Sequence, residues 1–129
     1  MEHMLDCREL FARLGEEEIL VVDCRIEATA ADVNEVQVPG ALRMSFNDLS
    51  RACHILPDDE LIVLCGAAVD HSDARRAYRL LRMRGRNAAI LQGGIREWIG
   101  RGYLTERVDA TRSSLHQEEE LPWAIVSDR

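Results

Sequence analysis

The sequence predicts a single α/β domain of three layers, with a central, mostly parallel sheet and helices on both faces. Three observations predict it. Short apolar runs without polar alternation, Ile19–Asp23 (ILVVD) and Leu61–Cys65 (LIVLC), fit strands covered on both sides. Helical patterns lie between such runs, and alternation of this kind implies parallel strands joined by crossover helices. Finally, 129 residues with 47% hydrophobic content suit one core that needs neither disulfide nor metal.

The elements follow in order. Leu5 to Leu14 reads as a helix, capped by Asp6 with Glu9 three residues on, and stopped by Gly15. Ile19–Asp23 is the first strand, and Ala41 to Phe46 a short further one. Leu61–Cys65 is the central strand. His71 to Arg84 is the clearest helix, because Ala74, Ala77, Tyr78 and Leu81 share one face. Ala88–Leu91 is a weaker strand. Gly94 to Gly100 is a second crossover helix, with Ile95, Trp98 and Ile99 turned inward, so Trp98 is a core residue. Residues 1–106 form the expected domain. Residues 107–129 form an extension, acidic at Gln117 to Glu120 and apolar at Leu121 to Val126. Two readings stand for it: a loose tail, or a segment that docks on this domain or on a second copy.

Charge and cysteine content narrow the function classes. A net charge of −7 disfavours nucleic acid and anionic membranes as partners of the whole surface. All 16 cationic residues are Arg, read as genome composition rather than a demand for guanidinium. Arg75, Arg79, Arg82 and Arg86 form a helical stripe, read as a solvated face. Cys7, Cys24, Cys53 and Cys65 include no C-x-x-C pair. The N-terminus is too polar for a secretory signal, and no apolar run is long enough to span a bilayer. A reducing cytoplasm is the expected compartment. No metal and no organic cofactor are expected.

Several short motifs occur together: Val22-Asp23-Cys24-Arg25, Val38-Pro39-Gly40-Ala41, Leu56-Pro57-Asp58-Asp59, Cys65, Gly93-Gly94-Ile95-Arg96-Glu97-Trp98 and Gly102-Tyr103. In order and spacing they resemble the rhodanese-like family, from about Leu10 to about Glu106. The resemblance implies a sulfurtransferase or persulfide carrier. Cys65 would be the nucleophile that takes sulfane sulfur from thiosulfate or a persulfide and passes it to a thiol or cyanide. Gly66, Ala67, Ala68, Val69, Asp70 and His71 would form the substrate loop, with backbone N–H groups turned inward. Asp23 and Arg25 would support it, Arg25 orienting the loop through a carboxylate. Partners would be a small sulfur-containing anion or a protein thiol or persulfide.

The residues themselves agree in part. Cys65 ends a buried strand and small residues follow, which lets the backbone turn closely about a ligand. Asp70 or Ser72 can cap the next helix. A thiol at a helix N-terminus is expected to have a lowered pKa and to be the most reactive of the four. Other features depart from the family. The position after the cysteine, often Arg, is Gly66, and the loop is about three residues longer than usual. Longer loops resemble those of phosphatase and arsenate-reductase relatives, but the sixth residue after Cys65 is His71, not Arg, and a largely neutral imidazole replaces a guanidinium poorly. Asp70 and Asp73 add negative charge; if they face Cys65 they oppose the thiolate and repel thiosulfate, and Asp70 is the expected offender. Cys24 reads as a packed thiol, with a relay disulfide to Cys65 as the alternative. The rival function is a rhodanese-fold binding or regulatory module; oxyanion chemistry ranks third.

Overall fold

The computed structural model describes residues 2–15, 18–25, 36–67 and 70–107. A five-stranded parallel sheet runs through the middle, in the order β1-β6-β5-β2-β4. Its strands are β1 (Met4–Leu5), β2 (Ile19–Asp23), β4 (Leu42–Arg43), β5 (Leu61–Cys65) and β6 (Ala88–Leu91). A separate antiparallel pair joins β3 (Val36–Gln37) to β7 (Glu106–Arg107). The helices are α1 (Cys7–Arg13), α2 (Phe46–Ala52), α3 (Ser72–Met83) and α4 (Gly94–Gly100). None of these helices is long and apolar enough to cross a membrane.

The sheet is dry on both faces, as the runs of unalternated apolar residues require. Val22, Ile62, Leu64 and Ile90 pack with Leu49 of α2 and with Ala74, Ala77 and Leu81 of α3. Val21, Val63, Ala89 and Leu91 pack on the other face with Leu10 of α1 and with Ile95 and Trp98 of α4. Alternate residues of each strand thus serve opposite layers. β2 and β5 are in register along their length, from Ile19 opposite Leu61 to Asp23 opposite Cys65.

Three local readings change. The first helix is shorter than Leu5 to Leu14. Met4 and Leu5 pair with Ile90 and Leu91 as an edge strand, and the helix starts behind the Asp6–Glu9 capping box. Leu5 is apolar and buried in either reading, so periodicity alone did not separate them. The strand placed at Ala41 to Phe46 is only Leu42–Arg43. Ser45 and Asp48 form a second capping box that turns the chain into α2 at Phe46. At α3 the N-cap is His71, with no side-chain cap bond, and Ser72 is the first helical residue. The apolar tail lies outside the described residues.

Trp98 is fully buried, and its Nε1–H donates to the Leu104 carbonyl at 2.8 Å. Tyr103 lies 4.9 Å from it between ring centroids, with Phe11 stacked on Tyr103. Replacing Trp98 by Phe leaves that carbonyl without its donor and removes ring area from the core. We expect a loss of about 1–3 kcal/mol in urea unfolding; a midpoint within error of the parent would show that the bond contributes nothing.

Candidate active site

The site lies where the register of β2 and β5 ends. Cys65 is the last residue of β5, at the carboxyl edge where open parallel sheets bind ligands. Beside it, Asp23 and Arg25 form a buried ion pair, Arg25 Nη2 to Asp23 Oδ2 at 2.6 Å, with Nε also donating to the carboxylate. The same guanidinium donates to the Val36 carbonyl at 2.9 Å. In these contacts Arg25 ties the end of β2 to β3, and further groups fix the start of the active loop.

One of those groups is the turn before α4. The Gly66 carbonyl accepts the Ile95 N–H at 3.0 Å. Gly94 has φ +61°, and a Cβ there would collide with that same carbonyl. Glycine is therefore required twice over, by backbone conformation and by close approach. His71 supplies the second tie: its Nε2 accepts the Gly93 N–H at 3.0 Å. His71 itself is left-handed, with φ +62°. Its lone pair is thus engaged by the protein, which argues further against an arginine-like role toward an oxyanion.

The two aspartates divide differently from the expectation. Asp70 is exposed and accepts the Ser72 N–H at 3.0 Å. That bond, with a second from the Ser72 side chain, holds its carboxyl below the usual carboxylate range. The carboxylate turned into the loop is that of Asp73. Its Oδ2 accepts the Ala67 N–H at 2.9 Å and its Oδ1 the Ala74 N–H at 2.8 Å. A Cβ on Gly66 would fall on this carboxylate. Ala68 and Val69 lie outside the described residues.

Electrostatics reverse the expected thiol activation. Cys65 is 1% exposed. Burial pushes its thiol well above the ordinary value, the Asp23 carboxylate and Cys24 add to this, and Arg25 opposes it. The loop N–H of Ala67 that could favour a thiolate is directed at Asp73 instead. Cys24 is pushed up likewise, by burial first and then by Asp73. The two thiols belong to opposite layers: Cys24 packs with the α2 and α3 side, Cys65 with the α1 and α4 side. Cys24 Sγ lies 3.5 Å from the Cys65 carbonyl, not directed at its sulfur. This favours the packed-thiol reading, and all four cysteines are free.

Two positions carry features the sequence reading missed. Arg43, paired with Asp23 in the β2–β4 register, has a buried Nη2 with no hydrogen-bond partner among the described residues. Cys53 accepts from Arg84 Nη1 at 3.0 Å, and Arg86 donates to the Cys53 and His54 carbonyls. The arginine stripe is therefore partly structural, since Arg75 also pairs with Glu2. Among the described residues no group of His, Cys, Asp and Glu is placed to hold a metal.

Two measurements check this geometry. Gly94→Ala should destabilise the fold by about 2–4 kcal/mol, through backbone strain and the clash with the Gly66 carbonyl; a loss under about 1 kcal/mol in urea would contradict it. The buried thiols set a pH dependence. Cys7 is pushed from 9.0 to about 11, chiefly by burial. A thiol harder to ionise when folded contributes its full stability below the ordinary value and loses it as pH climbs toward the folded one. The urea midpoint should therefore fall between about pH 8 and about pH 10.5, and Cys7→Ala should flatten part of the fall. The chain has no Lys to titrate there. A midpoint that rises over that interval would overturn the assignment.

The architecture has many counterparts among solved structures. A full-length protein from Lactobacillus plantarum superposes with a TM-score of 0.73 at 22% identity, over 81% of this chain and 88% of that one. The Alr3790 protein from Anabaena sp. gives a TM-score of 0.70 at 28% identity, over 95% and 96% of the two chains. A rhodanese-like domain protein from Staphylococcus aureus gives 0.62 at 18% identity, over 74% and 90%. No curated protein matches the sequence. The profile of the Rhodanese-like domain matches residues 6–101, about three quarters of the chain. With the cysteine-bearing strand, the paired glycines and the buried Trp98 in the expected order, the chain belongs to the rhodanese-like domain family.

Proposed function

We propose that this domain is a sulfurtransferase or persulfide carrier in which Cys65 holds the sulfane sulfur. The observation that supports it most is the position of Cys65. It ends the central strand at the carboxyl edge of the sheet, and the small residues Gly66 and Ala67 follow it, ahead of the N-terminus of α3. Family membership supports the same chemistry. The nucleophile is generated by deprotonation of a buried thiol, so turnover is expected to be slow near neutral pH and faster in mild alkali.

A second reading is favoured by one specific observation. Cys65 is almost completely buried, and that burial pushes its thiol up, as suits a binding or regulatory module that does not turn over. Intact mass separates the two. After exposure to a hydropersulfide or to thiosulfate, the protein should gain one sulfur, and Cys65→Ser should not. Absence of the gain with every donor, in a folded protein, would leave the binding module as the function.

A further inference from the structure

We propose that Asp73 is the specificity-determining residue of the active loop: its carboxylate fills the anion position and selects low-charge hydropersulfides over dianionic donors of the thiosulfate type. This rests on Cys65 being the sulfur carrier.

The argument begins with what an anion would use at this place. The loop offers the Ala67 N–H, the first turn of α3 offers the Ala74 N–H, and Gly66 leaves space by lacking a side chain. Asp73 takes all three. It accepts from Ala67 at 2.9 Å and from Ala74 at 2.8 Å. It also lies where a Gly66 Cβ would stand. Two backbone donors and the start of a 12-residue helix hold the carboxylate in place. A dianion would have to displace that carboxylate or lie against it, and like charges in a partly buried site repel strongly. The nearby cations have other engagements. Arg25 is held by Asp23, and Arg75 by Glu2 and the Asp70 carbonyl. Arg43 lies on β4, two strands from Cys65.

A hydropersulfide R–S–SH meets less of this opposition, since its sulfurs carry at most one negative charge and none in the protonated form that donates sulfur. The Cys65 thiolate attacks its terminal sulfur, a Cys65 S–S bond forms, the R–S to S bond breaks, and R–S⁻ leaves. The transferred sulfur keeps its proton, giving Cys65–S–SH. The proton lost by the Cys65 thiol is recovered by the departing thiolate, so R–S–SH and thiol become R–SH and persulfide with no external oxidant or reductant.

The test compares initial rates of sulfur loading on Cys65, by intact mass, with thiosulfate and with cysteine hydropersulfide. The proteins are the parent, Asp73→Asn, Asp73→Ser and Asp59→Asn. Asn and Ser keep an acceptor for Ala67 without the charge, and circular dichroism verifies folding of each. Asp59→Asn removes the same charge before β5, at the opposite edge of the sheet. The parent should prefer the hydropersulfide. Neutralising Asp73 should raise the thiosulfate rate relative to the hydropersulfide rate about tenfold, the equivalent of one pKa unit of charge interaction, and Asp59→Asn should leave the ratio alone. An equal change for both donors, or the same shift in Asp59→Asn, overturns the proposal. If neither donor loads the parent, the carrier reading fails by itself. The role of Asp73 is then read from alkylation of Cys65 by anionic iodoacetate against neutral iodoacetamide. A ratio that rises when Asp73 is neutralised supports anion exclusion by this residue, and an unchanged ratio overturns it.

Discussion

The carbonyl of Gly66 organises this molecule. It belongs to the first residue after the candidate nucleophile, and it is fixed by the Ile95 N–H at the start of α4. That bond is available only because Gly94 brings no Cβ into the gap. The loop after β5 is thus tied to the turn after β6, and His71 repeats the tie one residue away at Gly93. Below it, α4 is anchored by Ile95 and Trp98 in the α1-side core. Loop position, helix position and core packing are one constraint, and none can move alone.

This scaffold holds a thiol in an environment that opposes its own ionisation. The sheet places Cys65 among apolar side chains, with a paired carboxylate as its neighbour in register. The Asp23–Arg25 pair is self-compensating, so it gives the edge of the sheet rigidity with little net field. The Ala67 amide that would favour a thiolate is given to an internal acid, Asp73. The site thereby spends its anion-binding capacity on structure, and the charge of an incoming donor decides how well it is received.

What was legible in the sequence follows from which signals are local. β2, β5 and α4 were read to the residue because unbroken β-branched runs and paired glycines admit few alternatives. α3 was read to within one residue at each end. Capping boxes are local too, and Asp6–Glu9 was used, but Ser45–Asp48 was absorbed into a strand that ended early. Met4–Leu5 was misread because an edge strand of two residues has no periodicity. β3 and β7 pair over a separation of about seventy residues, which no window of sequence displays. The site was half legible. Cys65, Asp23 and Arg25 sit at strand ends that the pattern fixes. Asp70 and Asp73 were separable only by the turn between them, where His71 adopts a left-handed conformation and swings one carboxylate out and the other in.

The β3–β7 pair also has a bearing on motion. It stands apart from the main sheet, two residues against two. It is pinned by Glu106, whose Oε2 accepts from the Gly40 N–H at 3.0 Å and from Gln37 Nε2 at 2.8 Å. Closing it brings together residues 69 apart in the chain for a handful of bonds. Its opening free energy is therefore far below that of β2 and β5. When it opens, the Val36 carbonyl leaves Arg25, while the Asp23 carboxylate stays with the guanidinium. One anchor of the arginine beside the candidate nucleophile is thus coupled to a glutamate of β7, and the amide protons of the β3–β7 pair should exchange with solvent long before those of the core.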